Sequence, residues 1–198
     1  MVLTGTLYPT AGAKAVLLLP MLGKTRQSWG PFAKTLHEAG YNVFAIDLRG
    51  HGESTLKNNQ HIPYTAFGAP QYLDMIQDVE TAVHYLQNKT VYIVGASIGA
   101  NLALKYAAQN PDIQKVVLLS PGLEYRGVNV EQDNLMYTGN MLIVASKDDA
   151  YSADSVQKLV QNRKDANIKI YEAAGHGTGM LANQPELAGF LIDWMNQP

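Results

Sequence analysis

The sequence predicts an α/β domain built on a mostly parallel sheet with helices on both faces. Three observations carry that expectation. Short runs rich in Val, Ile and Leu alternate with longer segments whose apolar residues recur at helical spacing. Four of these runs, at 15–19, 90–94, 115–119 and 141–145, are almost continuously apolar, as strands buried on both faces are. Between the second of them and an Ala/Leu-rich stretch stands Gly95-Ala96-Ser97-Ile98-Gly99, a sharp turn joining strand to helix.

The elements follow in order. Residues 2–8 read as a first, edge strand ended by Pro9, and 15–19 as a buried strand. Residues 28–39 carry Trp29, Phe32, Ala33 and Leu36 at helical spacing, with Gly40 as the stop. Residues 42–46 form the next strand and lead into Asp47-Leu48-Arg49-Gly50-His51-Gly52-Glu53-Ser54. Residues 55–70 are polar, with two prolines and scattered aromatics, and read as a long surface loop. The clearest helix covers 71–87, where Tyr72, Met75, Ile76, Val79, Ala82, Val83 and Leu86 share one face. The strand at 90–94 is followed by a helix over 100–109. Further strands fall at 115–119, 141–145 and 168–171, and further helices at 155–162 and 185–195. Residues 121–140 leave room for a loop and a short helix, not for an inserted helical cap.

Composition bounds the function. The 198 residues suffice for one domain over 1–198 with a sizeable core. Hydrophobic residues make up 46% and charged residues 16%, ordinary for a soluble globular chain. A formal net charge of −2 offers no basic field for nucleic acid or an anionic membrane. The absence of cysteine excludes disulfides, thiol nucleophiles and thiolate metal sites. No two histidines have metal-ligand spacing, so no metal site is expected. No stretch approaches the roughly 20 apolar residues of a membrane span. The chain opens without a signal-peptide pattern, which predicts a cytoplasmic protein; an exported protein with its signal removed is the alternative.

A Gly-x-Ser-x-Gly held between strand and helix is a nucleophile elbow: the serine stands clear of the sheet edge on a strained turn. A serine hydroxyl needs a base to take its proton, and the base needs an orienting acid. Where the nucleophile sits on such an elbow, the order along the chain is serine, acid, histidine. Of His37, His51, His61, His84 and His176, only His176 follows Ser97, in Gly175-His176-Gly177 beyond the last strand. His51 precedes the serine and reads as a structural histidine in a tight turn near the pocket. His37 and His84 fall in helical segments, and His61 in the polar loop. The acid is expected after the strand at 141–145, where Ser146-Lys147-Asp148-Asp149 offers two candidates that spacing alone does not separate.

These residues resemble the α/β-hydrolase superfamily of serine hydrolases, and the likeness covers nearly the whole chain. It is carried by Gly-Ala-Ser-Ile-Gly at 95–99, Asp-Leu-Arg-Gly-His-Gly-Glu-Ser at 47–54, Ser-Lys-Asp-Asp at 146–149 and Gly-His-Gly at 175–177. The resemblance implies the α/β-hydrolase fold without a cap domain. It selects Asp149 over Asp148, because in similar hydrolases the acid closes a Gly-x-x-Asp and Ser146 takes the glycine's place. It implies an oxyanion hole from two backbone N–H groups, one on Ile98 after the nucleophile. The other belongs to the loop Pro20-Met21-Leu22-Gly23-Lys24. That loop departs from the family's His-Gly opening; alignment on it makes Leu22 the second donor, while Met21 and Leu22 read equally as apolar lining. Met21, Leu123 and Tyr125 are expected on the pocket wall, with 55–70 beside them. The implied activity is cofactor-independent hydrolysis of a small-molecule carboxylic ester through an acyl group on Ser97, with His176 as base and Asp149 as its orienting acid. Thioesterase, lysophospholipase or peroxide-dependent acyl chemistry on the same residues is the alternative within enzymes. A slow-turnover, receptor-like ligand-binding protein is the alternative outside them.

Overall fold

A computed structural model of the chain describes residues 1–87, 89–161, 163 and 165–198. Its strands are β1 (Gly5–Tyr8), β2 (Lys14–Leu19), β3 (Asn42–Ile46), β4 (Leu56–Lys57), β5 (Gln60–His61), β6 (Thr90–Ala96), β7 (Lys115–Leu119), β8 (Glu124–Tyr125), β9 (Val128–Asn129), β10 (Asn140–Ser146) and β11 (Asn167–Tyr171). Its α-helices are α1 (Gly30–Glu38), α2 (Ala69–Leu73), α3 (Ile76–Tyr85), α4 (Ile98–Gln109), α5 (Glu131–Met136), α6 (Ala150–Gln161), α7 (Met180–Asn183) and α8 (Leu187–Asn196).

Seven strands form one sheet in the order β1-β3-β2-β6-β7-β10-β11. β1 runs antiparallel to β3, and the other neighbouring pairs are parallel. The continuous apolar runs end up where such runs must, in the sheet's interior. Every residue of β2 after Lys14 is buried, as is all of β7. Alternation then divides β2 between two cores. Ala15, Leu17 and Leu19 join the cluster that includes Val79 of α3, Leu102 of α4 and Val156 of α6. Val16 and Leu18 join the one that includes Leu36 of α1 and Leu191 of α8. Each fully buried Leu or Val contributes about 1.5–3 kcal/mol, so the central strands are covered on both faces and their C-terminal ends are fixed in space, while the edge strands β1 and β11 stay partly exposed.

The first strand begins at Gly5 rather than at residue 2, and three other elements differ more from expectation. The helix read over 71–87 is two, because Met75, Gln77 and Asp78 donate to carbonyls three residues back and tighten the chain between them. The segment 55–70 is not one loop. It folds as the β4–β5 hairpin and a 3₁₀ turn at Tyr64–Ala66, and Pro70 sits in the first turn of α2 where its missing N–H costs nothing. The helix read over 155–162 starts earlier, at Ala150; its expected last residue, Asn162, lies outside the described residues. Between β7 and β10 the chain forms only the β8–β9 hairpin and α5, so no cap is inserted there.

Candidate active site

Ser97 occupies the junction of β6 and α4 with φ 54° and ψ −121°, a conformation that side-chain-bearing residues rarely adopt. Its N–H donates to Leu119 O on β7 at 2.9 Å, and its carbonyl accepts the Ala100 and Asn101 N–H groups at 2.9 and 3.2 Å, opening the helix. The glycines on either side are there for want of space. A Cβ on Gly95 would be driven into the Gly99 carbonyl, and one on Gly99 into the Leu19 carbonyl of β2. Strand, helix and neighbouring strand meet closer than any side chain permits.

His176 follows β11 and lies against the same edge. Its Nδ1–H donates to Asp149 Oδ2 at 2.6 Å. The Asp149 side chain is largely buried and that of His176 about a third exposed. Asp149 stands immediately before α6, with its N–H donating to Ser146 O at 3.0 Å. Asp148 faces elsewhere. Its carboxylate accepts the Ser146 hydroxyl and the Gly175 N–H, the latter at 3.2 Å to each oxygen. Those bonds, the Ser146 hydroxyl foremost, hold its carboxyl below the usual value. The two adjacent aspartates therefore divide the work, Asp149 meeting the imidazole and Asp148 fastening the backbone before it.

Ser120, a residue that sequence reasoning did not single out, ties these loops together. It is fully buried at the end of β7 with φ 50°. Its Oγ accepts the Gly177 N–H at 2.9 Å, and its carbonyl accepts the Tyr125 hydroxyl at 3.1 Å. Nothing in Ser-Pro after an apolar run advertises that role. The Tyr125 ring meets His176 edge-on at 6.3 Å between centroids. Burial, reinforced by the Asp149 charge, pushes its phenol well above the usual tyrosine value. Asn101, one turn into α4, fixes the hairpin at both ends, donating to Val128 O at 2.9 Å and accepting the Gly122 N–H at 3.1 Å.

A cavity of about 440 Å³ opens here, lined by Met21, Leu22, Ser97, Ile98, Glu124, Tyr125, Arg126, Tyr151 and His176. Two larger depressions, of about 590 and 540 Å³, lie elsewhere and contain neither Ser97 nor His176. The smaller cavity is the one with convergent polar groups on strained backbone at the C-terminal ends of parallel strands, where open α/β sheets bind ligands. Of the residues expected on its wall, Met21 and Tyr125 are there. Leu123 is not: its carbonyl accepts the Val130 N–H at 3.0 Å and its side chain packs against the buried cluster. The segment 55–70 does not line the cavity either. Glu124, Arg126 and Tyr151 do, brought in by the hairpin and by the first turn of α6.

Leu22 and Ile98 both border the cavity beside Ser97. The Ile98 N–H is the first of α4 and has no intrahelical acceptor. Neither it nor the Leu22 N–H bonds to a loop carbonyl or side chain among the described residues. Ser97 and His176 both line the cavity, without a direct hydrogen bond between their side chains.

The chain belongs to the α/β-hydrolase fold family, whose pattern it matches over residues 14–176. Among curated proteins it is 28% identical over 119 residues to a thermostable monoacylglycerol lipase of Bacillus sp. (strain H-257), covering 59% of this chain and 44% of the lipase. The alignments with the curated relatives span less than half of those proteins' lengths. Among solved structures, a monoacylglycerol lipase of Paleococcus ferrophilus superposes with a TM-score of 0.79 over 98% of both chains at 16% identity. One from a study of carboxylesterases of Nitrososphaera gargenis superposes with a TM-score of 0.83 over 98% of this chain and 93% of its own at 14% identity. At those identities the structures speak for the shared fold. Among the described residues no helix is long and apolar enough to cross a membrane.

Proposed function

We propose that the protein is a serine hydrolase that cleaves carboxylic esters of small molecules through an acyl-enzyme on Ser97. The observation that carries this reading is the 2.6 Å bond from His176 Nδ1–H to Asp149, with His176 and Ser97 lining one cavity; the other ring nitrogen of His176 is then free to act as base. That nitrogen takes the Ser97 proton as Oγ attacks the acyl carbon. The charge developing on the carbonyl oxygen falls to the Ile98 and Leu22 N–H groups. Collapse of the adduct breaks the C–O bond, and the imidazolium returns the proton to the leaving alkoxide. Water repeats the sequence and frees the acid. Asp149 keeps the ring in the tautomer the step requires and stabilises the imidazolium. The lack of a direct Ser97–His176 hydrogen bond is compatible with a free enzyme, in which catalytic hydrogen bonds are often long and tighten with substrate. The reading calls on no cofactor, and it treats residues 1–198 as one catalytic unit.

The test is a fluorophosphonate probe together with a panel of aryl esters of increasing acyl length. Ser97 is the expected site of labelling, and Ser97→Ala is expected to abolish labelling and lower turnover by about 10⁴ or more. Labelling at another serine overturns the assignment. Ligand-dependent stabilisation with no turnover across the panel overturns the hydrolase reading in favour of a binding protein.

A further inference from the structure

The Asp-Leu-Arg-Gly-His-Gly-Glu-Ser stretch lies outside the reaction just described, yet its histidine is bonded to the loop that carries Leu22. His51 is buried, and the Gly23 N–H donates to its Nε2 at 3.0 Å. Its Nδ1 lies 3.1 Å from the Arg49 carbonyl. An amide N–H and a carbonyl fix the protonation state between them: Nε2 must accept and Nδ1 must donate, so the ring is neutral and in one tautomer. The ring is also stacked on Tyr64, with centroids 4.2 Å apart and planes 8° from parallel.

What it holds is a turn. The Lys24 N–H donates to Met21 O at 3.1 Å, and Gly23, third of the four residues, has φ 74°, as a type II turn requires. Leu22 is the second residue of that turn. The peptide joining Leu22 to Gly23 is the one whose N–H points to His51. A second clamp lies just beyond, where Asp47 Oδ1 accepts the Arg26 N–H at 2.7 Å. We propose that His51 is a positioning residue for the hydrolytic reaction: by accepting the Gly23 N–H it fixes the turn that aims the Leu22 N–H at the developing oxyanion.

The inference rests on Leu22 as an oxyanion donor. A proton added to Nε2 would set N–H against N–H and release the centre of the turn. The charged groups around the ring leave it neutral. Asp47 is engaged by Arg26 and the Glu53 N–H, and Arg26 also pairs with Glu53. Arg49 pairs with Asp78 and Asp74. Tyr64 presents a ring face. Burial outweighs these neighbours and lowers the imidazole's affinity for a proton.

The experiment compares wild type, His51→Phe, His51→Gln, Leu22→Pro and Leu22→Ala on one short-chain aryl ester, with melting curves and Ser97 labelling to establish folding. Phe keeps a flat ring on Tyr64 and removes the acceptor. It is expected to lower kcat by about 10- to 100-fold, the scale of an ångström's misplacement, with KM moving less than about threefold. Gln restores an acceptor without a titrating proton and is expected to recover at least about tenfold over Phe. In the wild type two imidazoles must be unprotonated, so log kcat is expected to approach a slope of two in acid; in His51→Gln it is expected to stay at one. Leu22→Pro removes the N–H, together with the leucine side chain, at a turn position proline favours and is expected to be severely impaired, whereas Leu22→Ala, which keeps the N–H, is expected to retain most of the activity. Equal slopes in wild type and His51→Gln, or Gln no better than Phe, overturn the role of His51 while the Leu22 reading stands. A fully active Leu22→Pro overturns the Leu22 reading and this inference with it. If His51→Phe does not fold, the slope comparison between wild type and His51→Gln decides alone.

Discussion

The strain at Ser97 predicts that this position is more stable without its side chain. The backbone there is at φ 54° and ψ −121°, outside the regions open to a residue with a Cβ. Such a residue costs about 1–3 kcal/mol when the surroundings hold it in place. Here they do, through the Ser97 N–H to Leu119 and the Ser97 carbonyl to α4. Ser97→Ala keeps the Cβ and keeps the strain. Ser97→Gly removes it, at a loss of about 0.5–1 kcal/mol in chain entropy. The Gly variant is therefore expected to exceed the Ala variant by about 0.5–2 kcal/mol, or about 1–8 °C in Tm for a chain of this size. Calorimetric melts of the two variants measure the difference directly, and since both lack the Ser97 hydroxyl, the proposed acylation there does not intrude. A Gly variant that melts below the Ala variant would refute the reasoning, because it would mean the conformation is not costly for an L-residue in this turn.

The remaining predictions concern charges. Asp149→Asn is expected to cost up to about 10⁴ in kcat/KM by favouring the wrong tautomer of His176, and Asp148→Asn under about tenfold; rates on one aryl ester decide, and the reverse ranking would exchange the two roles. Arg49→Met leaves the buried Asp78 carboxylate without its ion pair and is expected to destabilise by about 3–5 kcal/mol in urea titration. Burial already raises the Asp78 pKa against the pull of Arg49, so folding favours its protonated form; the Arg49→Met penalty should shrink on acidification, and a penalty independent of pH would exclude that cause. His51 has the opposite linkage. Burial lowers its folded pKa, so below the ordinary imidazole range the unfolded chain takes up a proton the native state refuses, and wild-type stability falls with pH there. His51→Gln should flatten that part of the stability profile, and an unchanged profile would count against a buried neutral ring.

Much of the fold was legible because its signals are local. The segments 115–119 and 42–46 match β7 and β3 residue for residue: each opens on a single polar residue, Lys115 or Asn42, and continues as an apolar run of the kind a strand covered on both faces requires. The elbow was legible for a related reason: glycine is forced at Gly95 and Gly99 by backbone contact, and the sequence prints that constraint directly. What stayed hidden depends on tertiary partners. The break between α2 and α3 follows no glycine or proline, and periodicity ran straight through it. Leu123 and Tyr125 looked equivalent as apolar residues on one short segment, but only the hairpin's register decides that Tyr125 reaches the cavity while Leu123 joins the core. For Asp148 and Asp149, spacing left two choices, and only the return of the chain at Gly175 and His176 distinguishes their contacts.

The positions of backbone strain carry this point further. Five described residues other than glycine have positive φ: Asn58, Asn59, Ser97, Ser120 and Arg126. Asn58 and Asn59 form the two-residue turn between β4 and β5, where asparagine tolerates the left-handed region at little cost. The other three gather around one cavity. Ser97 and Arg126 line it, and Ser120 fastens both the Tyr125 hydroxyl and the loop of His176. Arg126 takes the first place of a two-residue hairpin turn, ahead of Gly127, a place where asparagine or glycine would be unstrained. Strain that a different residue type would relieve, concentrated around a single cavity, is what a selected site looks like and a chance depression does not. Neither larger depression is lined by any positive-φ residue, glycine included. Strain around the cavity thus supports the proposed site independently of its motif, and it does so through Ser120 and Arg126, which no motif in the sequence contains.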